Sequence, residues 1–199
     1  MSSSIFSNNP LPAIWEAFQA TTDGLRMADR AMQPLQVKNV DCQRELCFYQ
    51  QRLLKRLLFD THSNVALLLQ RSEEESRDLF ILGLWATFER FLRTYLQHKG
   101  EAIKQHVQPS ILADSMYQHF HKEVEYWKPV EILDFLKDSL FSTEEGRNLI
   151  GLAKQILEYR DWVAHGKNLK KLPSAKNLKP KVAYETLNKI IHTLLKHYP

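Results

Sequence analysis

From position 79 to position 96 the residues Leu79, Leu82, Leu84, Trp85, Phe88, Leu92 and Leu96 return at spacings dominated by three and four. A helix with about 3.6 residues per turn gathers such positions on one side, whereas a half-buried strand needs strict alternation. Similar spacing runs through Ile14, Trp15, Phe18, Leu25 and Ala28, and through Leu46, Leu53, Leu54, Leu57, Leu58, Val65 and Leu68. It returns at Leu149, Ala153, Ile156 and Val163, and at Ala183, Leu187, Ile190, Ile191 and Leu194. No alternating stretch persists and no internal repeat is visible. Only 6 glycines occur in 199 residues, which leaves little turn-rich chain for a β architecture. With 44% hydrophobic residues the chain can bury one substantial core. The expectation is an all-α helical bundle forming a single domain over residues 1–199.

Breakers and caps divide that bundle. Residues 1–12 are polar and carry prolines, so a loose arm is expected there. A first helix over 13–32 is expected to be interrupted at 21–24 and closed by Pro34. A long helical segment follows over 41–69, with a break near 60–64. Ser72 with Glu75 matches a capping box that would open the helix ending at Gly100. Two shorter helices split at Pro109 are expected over 102–127, and Pro129 starts another that runs to about Leu140. Ser142 with Glu145 gives a second capping box for the helix that stops at Gly166. Pro180 fits the first turn of a last helix reaching about His197.

Composition narrows the setting. Cys42 and Cys47 match no metal-ligand spacing and suggest reduced thiols in a cytosolic protein. No run approaches the roughly 18 apolar residues of a membrane span, and positions 1–9 lack the apolar core of a signal peptide. A soluble, cytoplasmic chain with no membrane partner is expected. The net charge of +4 is modest, but its distribution is not. Lys167, Lys170, Lys171, Lys176, Lys179 and Lys181 fall in a Lys-rich loop over 167–181, and no acidic residue occurs from 166 to 184. Such a run suits either solvated surface or nucleic-acid backbone. His119 and His121 do not share a helical face, and Glu73, Glu74 and Glu75 point around their helix rather than to one point. No metal or cofactor is expected.

The chemistry concentrates in Tyr159-Arg160-Asp161-Trp162-Val163-Ala164-His165-Gly166, at the end of a helix. Arg160 falls inside the apolar stripe between Ile156 and Val163. A buried guanidinium needs a partner, which could be a carboxylate, another subunit or a phosphate. Glu89 is one candidate, although Glu89 also stands four residues before Arg93. Asp161 and His165 are four apart, so a carboxylate and an imidazole share a face and can hydrogen-bond. Arg160 and His165 lie roughly 140° apart around an ideal helix. They converge only if the last turn unwinds or if two copies face each other, and the stripe holding Arg160 looks suited to helix pairing. An imidazole that moves the 2′-hydroxyl proton and an arginine that holds the phosphate suit metal-free RNA cleavage. The alternative left open by spacing alone is a local Asp161–His165 pair with Arg160 capping a neighbouring helix. Arg93, His98 and Gly100 mimic the pattern at another helix end, where basic residues complementing the dipole are expected.

These residues resemble the signature of the HEPN superfamily: Arg, a polar residue, three more, then His, here Arg160-Asp161-Trp162-Val163-Ala164-His165. Leu157-Glu158-Tyr159 before it and Gly166 after it are similar to the family's usual context. Leu84-Trp85-Ala86-Thr87-Phe88-Glu89-Arg90-Phe91-Leu92-Arg93 is similar to its long central helix, in which an acidic residue often occurs. The family often has Asn where this chain has Asp161. The likeness spans residues 79–198 and is nearest to stand-alone HEPN proteins linked with prokaryotic RNA targeting and defence. It implies a helical bundle and a metal-independent endoribonuclease, a toxin or defence effector, that leaves a 2′,3′-cyclic phosphate. It implies a homodimer with one composite site, in which Arg160 and His165 are the catalytic pair and Asp161 supports them. Lys167, Lys170 and Lys171 would then contact RNA, and a nucleotidyltransferase-type antitoxin is a family-typical partner. Some members are inactive, so a non-catalytic interaction or dimerisation module is the alternative.

Overall fold

The computed structural model describes residues 8–32, 48 and 65–198. Among these residues there are seven helices and no strand: α1 (Leu11–Met32), α2 (Val65–Lys99), α3 (Ala102–His106), α4 (Ser110–Tyr126), α5 (Pro129–Asp138), α6 (Glu144–Ala164) and α7 (Pro180–His197). The expected all-α architecture holds. Among the described residues, no helix is long and apolar enough to cross a membrane. Most of the expected segment over 41–69, including Cys42 and Cys47, lies outside the described residues.

The described chain divides into two compact units, one of residues 8–15 with 80–198, the other of the described part of 16–79. The larger unit holds the apolar core. Trp85, Phe88, Leu92, Leu133, Leu136, Ile150, Ile156, Leu187 and Ile190 are all buried there. They come from α2, α5, α6 and α7, so the periodic stripes seen in the sequence converge as expected. Residues 8–12, within the expected arm, are packed. Asn9 Nδ2 donates to Asn188 Oδ1 at 2.6 Å, Leu11 is fully buried, and Trp15 stacks on Tyr184 with ring centroids 4.9 Å apart.

In the second unit α1 runs through Thr21–Gly24 without the expected break. The hydroxyls of Thr21 and Thr22 donate to the carbonyls of Ala17 and Phe18, both at 2.9 Å, so neither competes for the helix ladder. Gly24 costs a helix interior only about 1 kcal/mol. Likewise Ser72 and Glu75 do not open a helix, because α2 already begins at Val65 and holds both in its interior.

Prolines mark the remaining joints better than capping boxes do. Pro109 sits between α3 and α4, while Pro129 and Pro180 are first residues of α5 and α7. Each ring fixes φ where the first-turn N–H has no helical acceptor. The N-cap of α6 is Thr143 rather than Ser142, and its side chain accepts from the Gly146 N–H at 3.1 Å.

Candidate functional site

α6 delivers Arg160, Asp161 and His165 to its C-terminal turn, and the stop there is sharply defined. Gly166 N–H donates to Val163 O at 3.0 Å and Lys167 N–H to Trp162 O at 2.8 Å. These are the paired bonds of a Schellman motif, and Gly166 takes the left-handed φ of 76° that the motif requires. Lys167 follows with φ 56°, unusual for a residue with a side chain, and turns the chain out of the helix axis. Asn168 then organises the start of the Lys-rich loop. Its carbonyl accepts from Trp162 Nε1 at 3.0 Å and from Lys171 N at 3.1 Å, and its Oδ1 accepts from Lys170 N at 2.9 Å.

The result is a groove of about 380 Å³, bordered by Glu158, Asp161, Trp162, His165, Asn168 and Lys171. The loop is tied back across it, since Ser174 Oγ donates to Glu158 Oε2 at 2.5 Å. His165 is the C-cap of α6 and is exposed. Three of the expected residues therefore meet in one place: Asp161, His165 and Lys171. Lys170 is exposed on the same loop but does not border the groove, and neither do Lys167 or Arg160.

Arg160 is partnered by its sequence neighbour. Its Nη1 donates to Asp161 Oδ1 at 2.8 Å, with the two side chains 32% and 47% exposed. So Asp161 serves the guanidinium rather than the imidazole. Arg160 Nε is buried with no hydrogen-bond partner, and it stands alone in this among the described residues. One face of this arginine is thus satisfied and one donor is not.

The expectation that the stripe carrying Arg160 serves helix pairing between copies needs correction. Leu149, Ala153, Ile156, Leu157 and Tyr159 are buried within the fold, packed in the region where α6 meets α5 and α7. That stripe is consumed by the chain's own core. Arg160 lies where the stripe reaches the edge of that core, which is why its stem is covered and its tip is not. Glu89 is committed elsewhere, accepting from Arg93 Nη2 at 2.6 Å and from Trp85 Nε1 at 3.0 Å.

Glu158, Trp162 and Asn168 were not among the expected site residues. The first two are legible after the fact, because 158, 162 and 165 follow the three-and-four spacing of a helix face. Asn168 carries the weaker signal of an Asn in a polar loop. The groove therefore holds two carboxylates, one lysine and one imidazole around an indole ring. Anion affinity there rests on Lys171 and on His165 when protonated, with Arg160 offsetting Asp161. Among the described residues no three His, Cys, Asp or Glu side chains are grouped to hold a metal ion. The chain matches no family model, no curated protein and no solved structure.

Proposed function

We propose that the chain is a HEPN-type endoribonuclease that works without a metal ion. The observation that carries this reading is the placement of His165, an exposed imidazole at a helix end beside Lys171 in a groove of about 380 Å³. The sequence resemblance to the family falls on the same residues. His165 takes the proton from a ribose 2′-hydroxyl, whose oxygen attacks phosphorus as the bond to the 5′ oxygen breaks. The departing oxygen receives a proton from a second imidazole, and the products are a 2′,3′-cyclic phosphate and a 5′-hydroxyl end. Within one chain Arg160 and His165 leave α6 on different sides, so a second copy supplies the matching groups. This reading therefore includes a homodimer with a composite site. Arg160, with one donor uncommitted, steadies the charge that develops on phosphate. Lys167, Lys170 and Lys171 hold the strand, and the biological role is that of a toxin or defence effector held by an antitoxin of the nucleotidyltransferase type.

The test is cleavage of unstructured RNA by purified protein in EDTA, with end-group analysis and sedimentation to read the oligomeric state. Cyclic phosphate ends, lost in His165→Ala with helicity unchanged, are the expected result. A requirement for added Mg²⁺ counts against the mechanism.

One observation favours a second reading, a non-catalytic interaction module. Arg160 already pairs with Asp161 at 2.8 Å, as a purely structural arginine would. RNA or partner binding with no cleavage, and with Arg160→Ala altering only assembly, is the outcome that selects it.

A further inference from the structure

We propose that a second groove of the larger unit, remote in sequence from His165, binds a small aromatic molecule that carries one carboxylate. It lies where the ends of α2, α5 and α7 meet α3 and α4, and encloses about 510 Å³. Small-molecule sites span about 300–1,000 Å³ and combine apolar walls with a few placed polar groups. Here the walls are the rings of Tyr95, Phe120, Phe135 and Tyr198 with Leu140, and Lys99 stands among them. None of these residues borders the His165 groove, so the inference does not depend on the nuclease reading.

The wall's own polar groups are largely spent on backbone. Tyr95 Oη donates to Tyr198 O at 2.8 Å, Tyr198 Oη to Leu140 O at 3.3 Å, and Ser139 Oγ to Phe135 O at 2.6 Å. Burial, helped by Tyr198, pushes the Tyr95 phenol up to about 12, so it stays a neutral donor fixed to its acceptor. What remains facing the space is mostly hydrocarbon and ring surface, including Phe135, which is 43% exposed. An apolar body removes that surface from water. Four rings favour an aromatic body, because rings gain from edge and offset contacts that aliphatic chains do not offer.

The wall's position is set by Gly100. A Cβ at that residue would sit 2.5 Å from the Phe120 ring, so only glycine lets the ring close against the end of α2. Charge then selects the ligand. Lys99 is the one side chain on the wall that is ionised at neutral pH, and no carboxylate borders the space. Its Nζ stands 5.6 Å from the centroid of the Tyr95 ring, within reach of an anion seated at the mouth.

The experiment titrates the full chain with 2-naphthoate and with 2-naphthalenemethanol, its uncharged analogue, by calorimetry. One-site binding of the acid, at least about tenfold tighter than the alcohol, is expected. Lys99→Met should erase that preference while leaving the alcohol unchanged, and Ser139→Trp, at an exposed rim position, should block both. Melting curves verify that each variant is folded. If the Trp variant fails to fold, the Lys99→Met comparison alone decides. No saturable binding to the wild type, equal binding of acid and alcohol, or an unaltered preference in Lys99→Met each overturns the proposal.

Discussion

Two arginines in this chain each stand five residues before a histidine and close to a glycine, yet the fold treats them oppositely. Arg93 is 8% exposed, and its guanidinium donates to Val124 O at 2.6 Å, Glu125 O at 3.0 Å, Trp127 O at 2.8 Å and Glu89 Oε1 at 2.6 Å. It therefore closes the C-terminal end of α4, taking up carbonyls that the helix leaves unpaired. The sequence suggested an exposed terminus there; instead Arg93 lies inside α2 and is buried. Arg160 has one carboxylate partner, an unpartnered Nε and a tip that reaches the surface. The two glycines differ as well. Gly166 is needed for its backbone angle, and Gly100 for the space that Phe120 occupies. A saturated arginine belongs to scaffold. One left with a spare donor beside a groove is available for chemistry.

That contrast can be broken most forcefully at Arg93. Arg93→Met leaves Glu89 and three carbonyls unpaired, and should cost about 3–5 kcal/mol in urea unfolding. Arg160→Met should cost less than about 1 kcal/mol, because its ion pair is partly solvated. Comparable losses at both sites would erase the distinction. In activity the order should reverse on a folded background. Arg160→Met is expected to lower RNA cleavage by about 10²–10³-fold, the scale of one lost oxyanion donor, with an unchanged melting temperature.

Smaller effects separate the glycines. Gly100→Ala should cost about 1–3 kcal/mol by displacing Phe120, and Phe120→Ala should recover part of that loss. Gly166→Ala should cost about 1–2 kcal/mol from the left-handed angle, and Phe120→Ala should leave that cost untouched. The smallest effect is at alkaline pH. The Tyr95 phenol titrates near about 12 in the fold against 10.0 otherwise, so the folded state holds its proton more firmly. Its contribution is complete below pH 10 and declines as pH rises from 10 toward 12. Tyr95→Phe should remove that decline from a pH series of melting curves.

How much of this was legible depended on the range of the interactions involved. Local covalent constraints read well: Pro109, Pro129 and Pro180 marked helix joints, because a fixed φ and a missing N–H act on the chain wherever it packs. Gly166 as a stop read equally well. Capping boxes read poorly, since Ser72 and Glu75 carry the pattern inside a helix that starts seven residues earlier. The role of Arg93 was illegible, because its acceptors lie more than thirty residues away and are main-chain atoms with no sequence signature. At the candidate site, Asp161 and His165 were correctly placed on one face, but the carboxylate's choice of Arg160 depends on side-chain reach at the core edge. The burial of the stripe was visible as a pattern. What it packs against was not.

The central claim is that His165 cleaves RNA without metal help, and cleavage in EDTA by wild type and His165→Ala measures it most directly. The account predicts 2′,3′-cyclic phosphate ends from the wild type and a loss of at least about 100-fold in the variant, with its helicity and assembly intact. A wild-type chain that never cuts RNA, or a His165→Ala chain that cuts as fast as wild type, contradicts it.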